Sequence, residues 1–230
     1  HVSNVRIIKG TALYTGSTYT VPTQPLTAVT NTSLLTFKNT SGSTVDNSGN
    51  CTVASDFGSL KLISPFNPKT RLLMFKEASV TVKPTTEGVT QPDIRTSSVL
   101  FSGTTSSNLL IPTNSRLLLS GSQYTVEMWV YPTGLGTVDR RLYDKSGIGN
   151  YPYVIGINAS NQPYFKTDAT TLTSTITAPL NTWTHIAVTN DGTTTRLYVN
   201  GKLPVSSTGV TIINEDVDLR IGGAAYLGSS

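Results

Sequence analysis

The run YTVEMWVYP at residues 124–132 constrains this chain more than any other stretch. Successive side chains on a strand point to opposite faces, so Tyr124, Val126, Met128 and Val130 share one face and Thr125, Glu127, Trp129 and Tyr131 the other. An apolar face opposite a mixed one, closed by Pro132 and Gly134, is the pattern of a central strand lying on a core. A second apolar strand at residues 183–189 halts at Asn190, Asp191 and Gly192, and a third at residues 195–199 halts at Asn200 and Gly201. Asn-Gly and Asp-Gly accept the positive φ of tight hairpin loops, so the three strands are expected in one antiparallel sheet.

The rest of the chain repeats this grammar. Residues 1–10, 33–37, 98–103, 108–112, 153–157, 163–166 and 172–176 read as further strands, separated by turn residues at intervals of about ten, the spacing of an all-β sandwich. Residues 58–63, 72–75 and 79–83 are plausible strands between Pro65, Pro68 and Pro84. Helical periodicity is confined to a short piece around residues 113–119. Residues 15–32, with Pro22 and Pro25 and little apolar pattern, read as an extended linker. At 230 residues the chain can bury one large core. Charged residues are only 13%, against about 25% in an average domain, and Thr, Ser and Asn supply the polar surface that exposed strands need.

Five ordered blocks carry a family resemblance: YTVEMWVYP, LYDK at 142–145, NTWTHIAV at 181–188, RLYVNG at 196–201 and LRIGG at 219–223. Together they resemble the laminin-G-like branch of the concanavalin-A-like jelly rolls, over roughly residues 97–223. The resemblance implies an all-β, antiparallel two-sheet jelly-roll sandwich. It also implies that residues 1–14 form a closing strand, since a segment of this kind follows the LRIGG block in tandem modules of tailed-phage and marine viral structural proteins. That strand belongs either to a preceding repeat, the favoured alternative, or to this chain's own sandwich, and Val5, Ile7 and Leu13 are the residues expected to pack on a jelly-roll body. The domain organisation is then a closing strand at 1–14, a linker at 15–32 and a jelly roll at 33–230, with an atypical insertion at about 64–96.

Several function classes are disfavoured by the residues themselves. The net charge is +4, but Lys and Arg are scattered, and nucleic-acid binding needs a concentrated basic patch. No apolar stretch approaches the roughly 18 residues of a membrane helix, so no membrane insertion is expected. The single cysteine, Cys51, cannot form an internal disulfide. Glycosidases of this fold place two carboxylates one residue apart on a strand face, whereas Glu127 has Thr125 and Trp129 at the neighbouring positions and is expected to be an outward-facing sheet residue. His185 has no nucleophile or metal partner in its pattern and reads as structural. No enzyme is expected.

Binding remains. Sugar recognition uses aromatic platforms, and Trp129, Tyr131, Tyr151, Tyr153 and Tyr164 are the candidates. Calcium is the cation that the resemblance implies; Asp139, Asp144, Asp191, Glu215, Asp216 and Asp218 offer oxygens, but no dedicated loop spacing assigns ligands among them. The expected role is a non-enzymatic virion structural or adhesion module of a repeat-built phage protein, partnered by other copies or modules of the same protein. The alternative is an extracellular carbohydrate-binding module of a bacterium, partnered by surface glycans. The expected location is a virion or an extracellular surface.

Overall fold

A computed structural model describes residues 1–37, 46–51, 55–56, 59–61, 98–101, 107–134, 136, 138–147 and 149–223. The expected strands at 72–75 and 79–83 and the insertion at 64–96 lie outside the described residues. In chain order the strands are β1 (Val2–Lys9), β2 (Thr32–Thr36), β3 (Ser55–Asp56), β4 (Ser59–Lys61), β5 (Ser98–Leu100), β6 (Leu109–Ile111), β7 (Tyr124–Val130), β8 (Arg140–Lys145), β9 (Tyr153–Ile157), β10 (Pro163–Lys166), β11 (Thr171–Thr173), β12 (Thr184–Asn190), β13 (Thr194–Val199), β14 (Lys202–Thr208) and β15 (Leu219–Ile221). A single 3₁₀ turn, Ser115–Leu117, stands where helical periodicity was expected.

The strands form two antiparallel sheets, the jelly-roll sandwich that the sequence implied. The first runs β14-β13-β12-β7-β1-β5-β4 with β2 also on β1, and the second runs β11-β10-β9-β8-β15-β6-β3. Their facing sides make the core. Val5 and Ile7 of β1, Val126, Met128 and Val130 of β7, and Ile186 and Val188 of β12 meet Ile155 and Ile157 of β9, Phe165 of β10 and Leu219 and Ile221 of β15, all essentially inaccessible. At about 25 cal/mol per Å² of apolar surface, this burial is the main term favouring the fold. The Asn200-Gly201 corner has φ of 49° and 75°, the left-handed pair that a two-residue hairpin between β13 and β14 requires.

Strand β1 pairs along its length with β7 of this same chain, Val2 opposite Val130 and Lys9 opposite Tyr124, and on its other edge with β2 and β5. It is an interior strand of this chain's own sheet. Of the three residues expected to pack from the N-terminal segment, Val5 and Ile7 are in the core, whereas Leu13 lies past the strand, half-buried, with its N–H donating to Thr125 Oγ1 at 2.8 Å. A bulge between Ser3 and Arg6 puts Asn4 at φ 50° and turns its Oδ1 outward to accept from the Leu26 N–H at 3.0 Å.

The stretch expected as a linker is without named strands but lies on the protein, strapped across the outer face of the first sheet. Gly10 N–H donates to the Gln123 carbonyl at 2.6 Å, Thr189 Oγ1 to the Tyr14 carbonyl at 2.7 Å, the Tyr198 hydroxyl to the Gly16 carbonyl at 2.6 Å and Arg6 Nη1 to the Thr27 carbonyl at 2.7 Å. Thr18 makes an antiparallel bridge to Lys202 at the outermost named strand of that sheet. The polar residues of the outer face therefore serve as anchors for backbone that would otherwise stay solvated. Strand β14 has no counterpart in the sequence expectations: Pro204 within it argues against a strand, and prolines are tolerated only where a strand runs at an edge.

Candidate functional site

The outer face of β7 divides into a covered half and an open half. In the covered half sits Glu127, wholly inaccessible to solvent. Arg6 Nε donates to Glu127 Oε1 at 2.8 Å and the Tyr14 hydroxyl donates to Oε2 at 2.9 Å. His185 Nε2, from the register neighbour strand β12, lies 3.3 Å from Oε2. On its other side His185 Nδ1 is 2.6 Å from the Tyr19 hydroxyl, and Tyr14 and Tyr19 stack with centroids 3.7 Å apart. Burial alone would raise the Glu127 pKa; hydrogen bonding and charge from His185 and Arg6 outweigh it and hold the carboxyl below its ordinary value. Glu127 faces outward from the sheet as expected, but the strap removes it from solvent. A lone carboxylate locked in an ion pair beneath two tyrosines cannot act as both acid and nucleophile on a sugar bond.

The open half begins one alternation further along. Trp129 is half-buried, its indole edge-on to the His185 ring at 5.0 Å. Tyr131, the next residue on that face, meets Trp183 with ring centroids 5.3 Å apart and His1 at 5.9 Å. Register explains the grouping: Val130 pairs with Thr184 and with Val2, so residues 131, 183 and 1 fall in one row across three adjacent strands. All three are half-buried, leaving aromatic faces partly available.

Beside this row opens a cleft of about 450 Å³ between the ends of the two sheets, lined among others by Tyr131, Phe101, Val138, Arg140, Leu142 and Ile157. Val138 is 68% exposed, the most exposed large apolar side chain among the described residues. Arg140, half-buried, is fixed in the wall: Nη1 donates to the Gly134 carbonyl at 2.6 Å, and Nη2 to Asn161 Oδ1 at 2.5 Å and the Asn158 carbonyl at 3.3 Å. Partial burial lowers its pKa from the ordinary arginine value.

The five expected platform residues thus do not converge. Trp129 and Tyr131 share the open corner. Tyr153 is in the core, stacked on Tyr143 at 5.4 Å with its hydroxyl donating to the Leu117 carbonyl at 2.6 Å, because its position on β9 has the inward parity of Ile155 and Ile157. It is no platform. Tyr164 and Tyr151 belong to the outer side of the second sheet. Tyr164 is buried across Gly156, where any side chain would collide with its ring. Tyr151 already holds Lys166 Nζ over its ring at 4.0 Å, with the Arg141 guanidinium at 5.5 Å. Trp183 was missed as a platform residue, although the parity of its own strand, with Ile186 and Val188 inward, puts it outward with His185.

The acidic residues weighed for calcium are likewise dispersed. Asp191 caps its hairpin, accepting from Thr194 N–H at 2.9 Å and pairing with Arg196 at 2.6 Å. Asp144 pairs with Arg141 at 2.9 Å, Asp218 accepts from Thr113 N–H, and Glu215 from Asn150 Nδ2. Among the described residues no three His, Cys, Asp or Glu side chains are grouped to hold a metal, and no helix is long and apolar enough to cross a membrane.

Comparison with known proteins places the fold. The profile of the Concanavalin A-like lectin/glucanases superfamily matches residues 102–230. No curated protein sequence matches the chain. Among solved structures, domain 4 of the extracellular arabinanase AbnA from Geobacillus stearothermophilus, in complex with arabinotriose, is 17% identical with a TM-score of 0.47, over 79% of this chain and 78% of that one. The botulinum neurotoxin serotype G binding domain is 16% identical with a TM-score of 0.45 over 56% of this chain, and this chain spans about a third of its length, 35%. The carbohydrate-binding module CBM66 from Bacillus subtilis is 14% identical with a TM-score of 0.34, over 54% of this chain and 83% of that one. With the profile extending over more than half of its length, and two antiparallel sheets enclosing one core, the chain belongs to the concanavalin A-like lectin/glucanase superfamily.

Proposed function

We propose that this chain is a binding module without catalytic activity, and that it takes a saccharide at the open aromatic corner. The observation that carries this is the pair of Tyr131 and Trp183, half-buried with ring centroids 5.3 Å apart, of which Tyr131 lines the 450 Å³ cleft. Half-buried aromatic rings held rigidly by strand register offer C–H faces of a sugar ring a flat apolar surface at little entropic cost, and Thr133, Arg140 and backbone groups of the lining supply hydrogen bonds. The absence of hydrolysis follows from the state of Glu127, the sole carboxylate of its strand, which is ion-paired and shut beneath the strap.

The setting we infer is a surface where such a module adheres, on a virion or outside a cell. The support is the resemblance of residues 1–14 and of the strap to joints between modules of viral structural proteins. Contact with other copies through exchange of β1 would require that strand to leave both of its neighbours, so adhesion through the corner is favoured over strand exchange. The test is a panel of neutral and acidic oligosaccharides titrated against the chain and its Trp183→Ala variant, with release of reducing ends assayed in parallel. Binding that weakens at least about tenfold in the variant, the loss of one aromatic contact, with no hydrolysis, is the expected result. Failure of every member of the panel to bind, or turnover abolished by Glu127→Gln, would overturn it.

A further inference from the structure

The end cleft contains an arginine whose charge is unanswered. Among the described residues that line it, the charged side chains are Arg140 and Arg141, with no carboxylate. Arg141 is already spoken for: its Nη1 donates to Asp144 Oδ2 at 2.9 Å and to Ser146 Oγ at 3.1 Å. Arg140 differs. Its three hydrogen bonds go to two backbone carbonyls and one amide oxygen, all neutral, and among the described residues it forms no ion pair.

The arrangement is built rather than incidental. Asn158 Oδ1 accepts from the N–H groups of Ser160 and Gln162, shaping the turn in which Asn161 takes φ 59° and presents its side-chain oxygen to the guanidinium. The turn thus fixes the plane of Arg140 while leaving its charge whole. The surrounding walls, Val2, Val130, Leu142 and Ile157, are apolar, and a charge beside low-dielectric walls acts on a ligand more strongly than one in open water. Both Nη2 hydrogens are taken by Asn158 and Asn161 and one Nη1 hydrogen by Gly134, so the second Nη1 N–H remains to donate a charge-assisted hydrogen bond to one oxygen of a carboxylate or a sulfate.

We propose that the saccharide taken at this corner is anionic, with a carboxylate or sulfate group of one sugar residue entering the cleft to pair with Arg140 while an adjoining ring lies against Tyr131 and Trp183. This rests on the saccharide-binding reading above and adds the chemical class of the ligand.

The experiment is a calorimetric titration of the full chain with three oligosaccharides of equal length: an oligogalacturonate, a sulfated galactan fragment and a neutral galactan fragment. Each is repeated with Arg140→Gln, with Arg140→Lys, and with Lys9→Gln. The last removes an equal charge at the far end of β1, seven residues and about 23 Å from Val2. Tighter binding of an acidic oligosaccharide than of the neutral one is expected, and whichever acidic arm binds identifies the anion. Affinity should fall about tenfold or more in Arg140→Gln and about threefold or more in Arg140→Lys, which keeps the charge but loses the anchors that hold the Nη1 donor in place, while Lys9→Gln changes it less than about twofold. If Arg140→Gln does not fold, the acidic-to-neutral preference of the unaltered chain decides, since equal binding of both overturns the proposal. Equal weakening by Arg140→Gln and Lys9→Gln overturns it too, showing a diffuse charge effect. In either case binding of the neutral oligosaccharide leaves the saccharide reading standing; no binding in any arm removes both.

Discussion

Glu127 on β7 and Tyr131 just past its end share one face, four residues and about 13 Å apart, yet they live in different media. Around Glu127 the strap lays two stacked tyrosines over an Arg-Glu-His network and leaves it dry; around Tyr131 the same sheet surface carries aromatic rings that remain partly open. Burying charge is costly unless each member is paired and hydrogen-bonded, so the covered half is held in one arrangement by mutual satisfaction. The open half carries the half-buried rings of Tyr131 and Trp183. One half of the face holds the strap, and the other is where we place the ligand.

The largest effect expected from breaking this contrast is at Glu127. Replacing it by alanine leaves Arg6 buried without its partner and should cost about 3–5 kcal/mol, seen as a large drop in melting temperature. Trp183→Ala, at the open end, should change stability far less while removing ligand binding; equal destabilisation by the two would erase the distinction drawn here. Acid should expose the same network. The Glu127 and Asp46 carboxyls both sit below their ordinary pKa, Glu127 because partners outweigh burial, and Asp46 because burial is outweighed by hydrogen bonds from Leu35, Ser48 and Cys51. Each therefore contributes stability that is present above the unfolded pKa, about 4, and is lost as pH falls through the depressed folded value. Melting temperature should decline below about pH 4.5, and Glu127→Gln should flatten that decline. A slope unchanged by the substitution would assign acid sensitivity elsewhere. The smallest of these effects is Tyr19→Phe, which leaves His185 Nδ1 buried without the strap hydroxyl and should cost about 1–3 kcal/mol while sparing saccharide binding.

Much of this was legible before the coordinates. The inward set Tyr124, Val126, Met128 and Val130, the turns at Asn190 and Asn200, and the two-sheet architecture all followed from period-two alternation and turn chemistry, which are local properties. What local pattern could not carry was the strap. Residues 15–32 have the composition of a spacer, and it is distant groups, the Tyr198 hydroxyl, the Arg6 and Asn4 side chains and the backbone of Gly201 and Leu203, that give their backbone a place to bind. That long-range pairing is also why Glu127, outward by parity, is inaccessible. Among the aromatic candidates, strand-by-strand parity puts Tyr153 inward with Ile155 and Ile157 and Trp183 outward with His185, yet the sequence expectation included the first and omitted the second. Arg140 announces itself by no sequence signal, because its distinction, the lack of an ion pair among the described residues, depends on the fold around it.

The central claim is that the open corner, not the covered half or the second sheet, meets the ligand. The chain has two tryptophans, Trp129 and Trp183, and both lie on this face, so the two indole N–H resonances of ¹⁵N-labelled protein report on it directly. Titration with the tightest-binding oligosaccharide should shift both indole signals, with the larger change at Trp183, and leave the amides of Val154 and Gly156 on the second sheet in place. Two unmoved indoles under saturating ligand, with shifts concentrated around Tyr151 and Gly156 instead, would contradict the account.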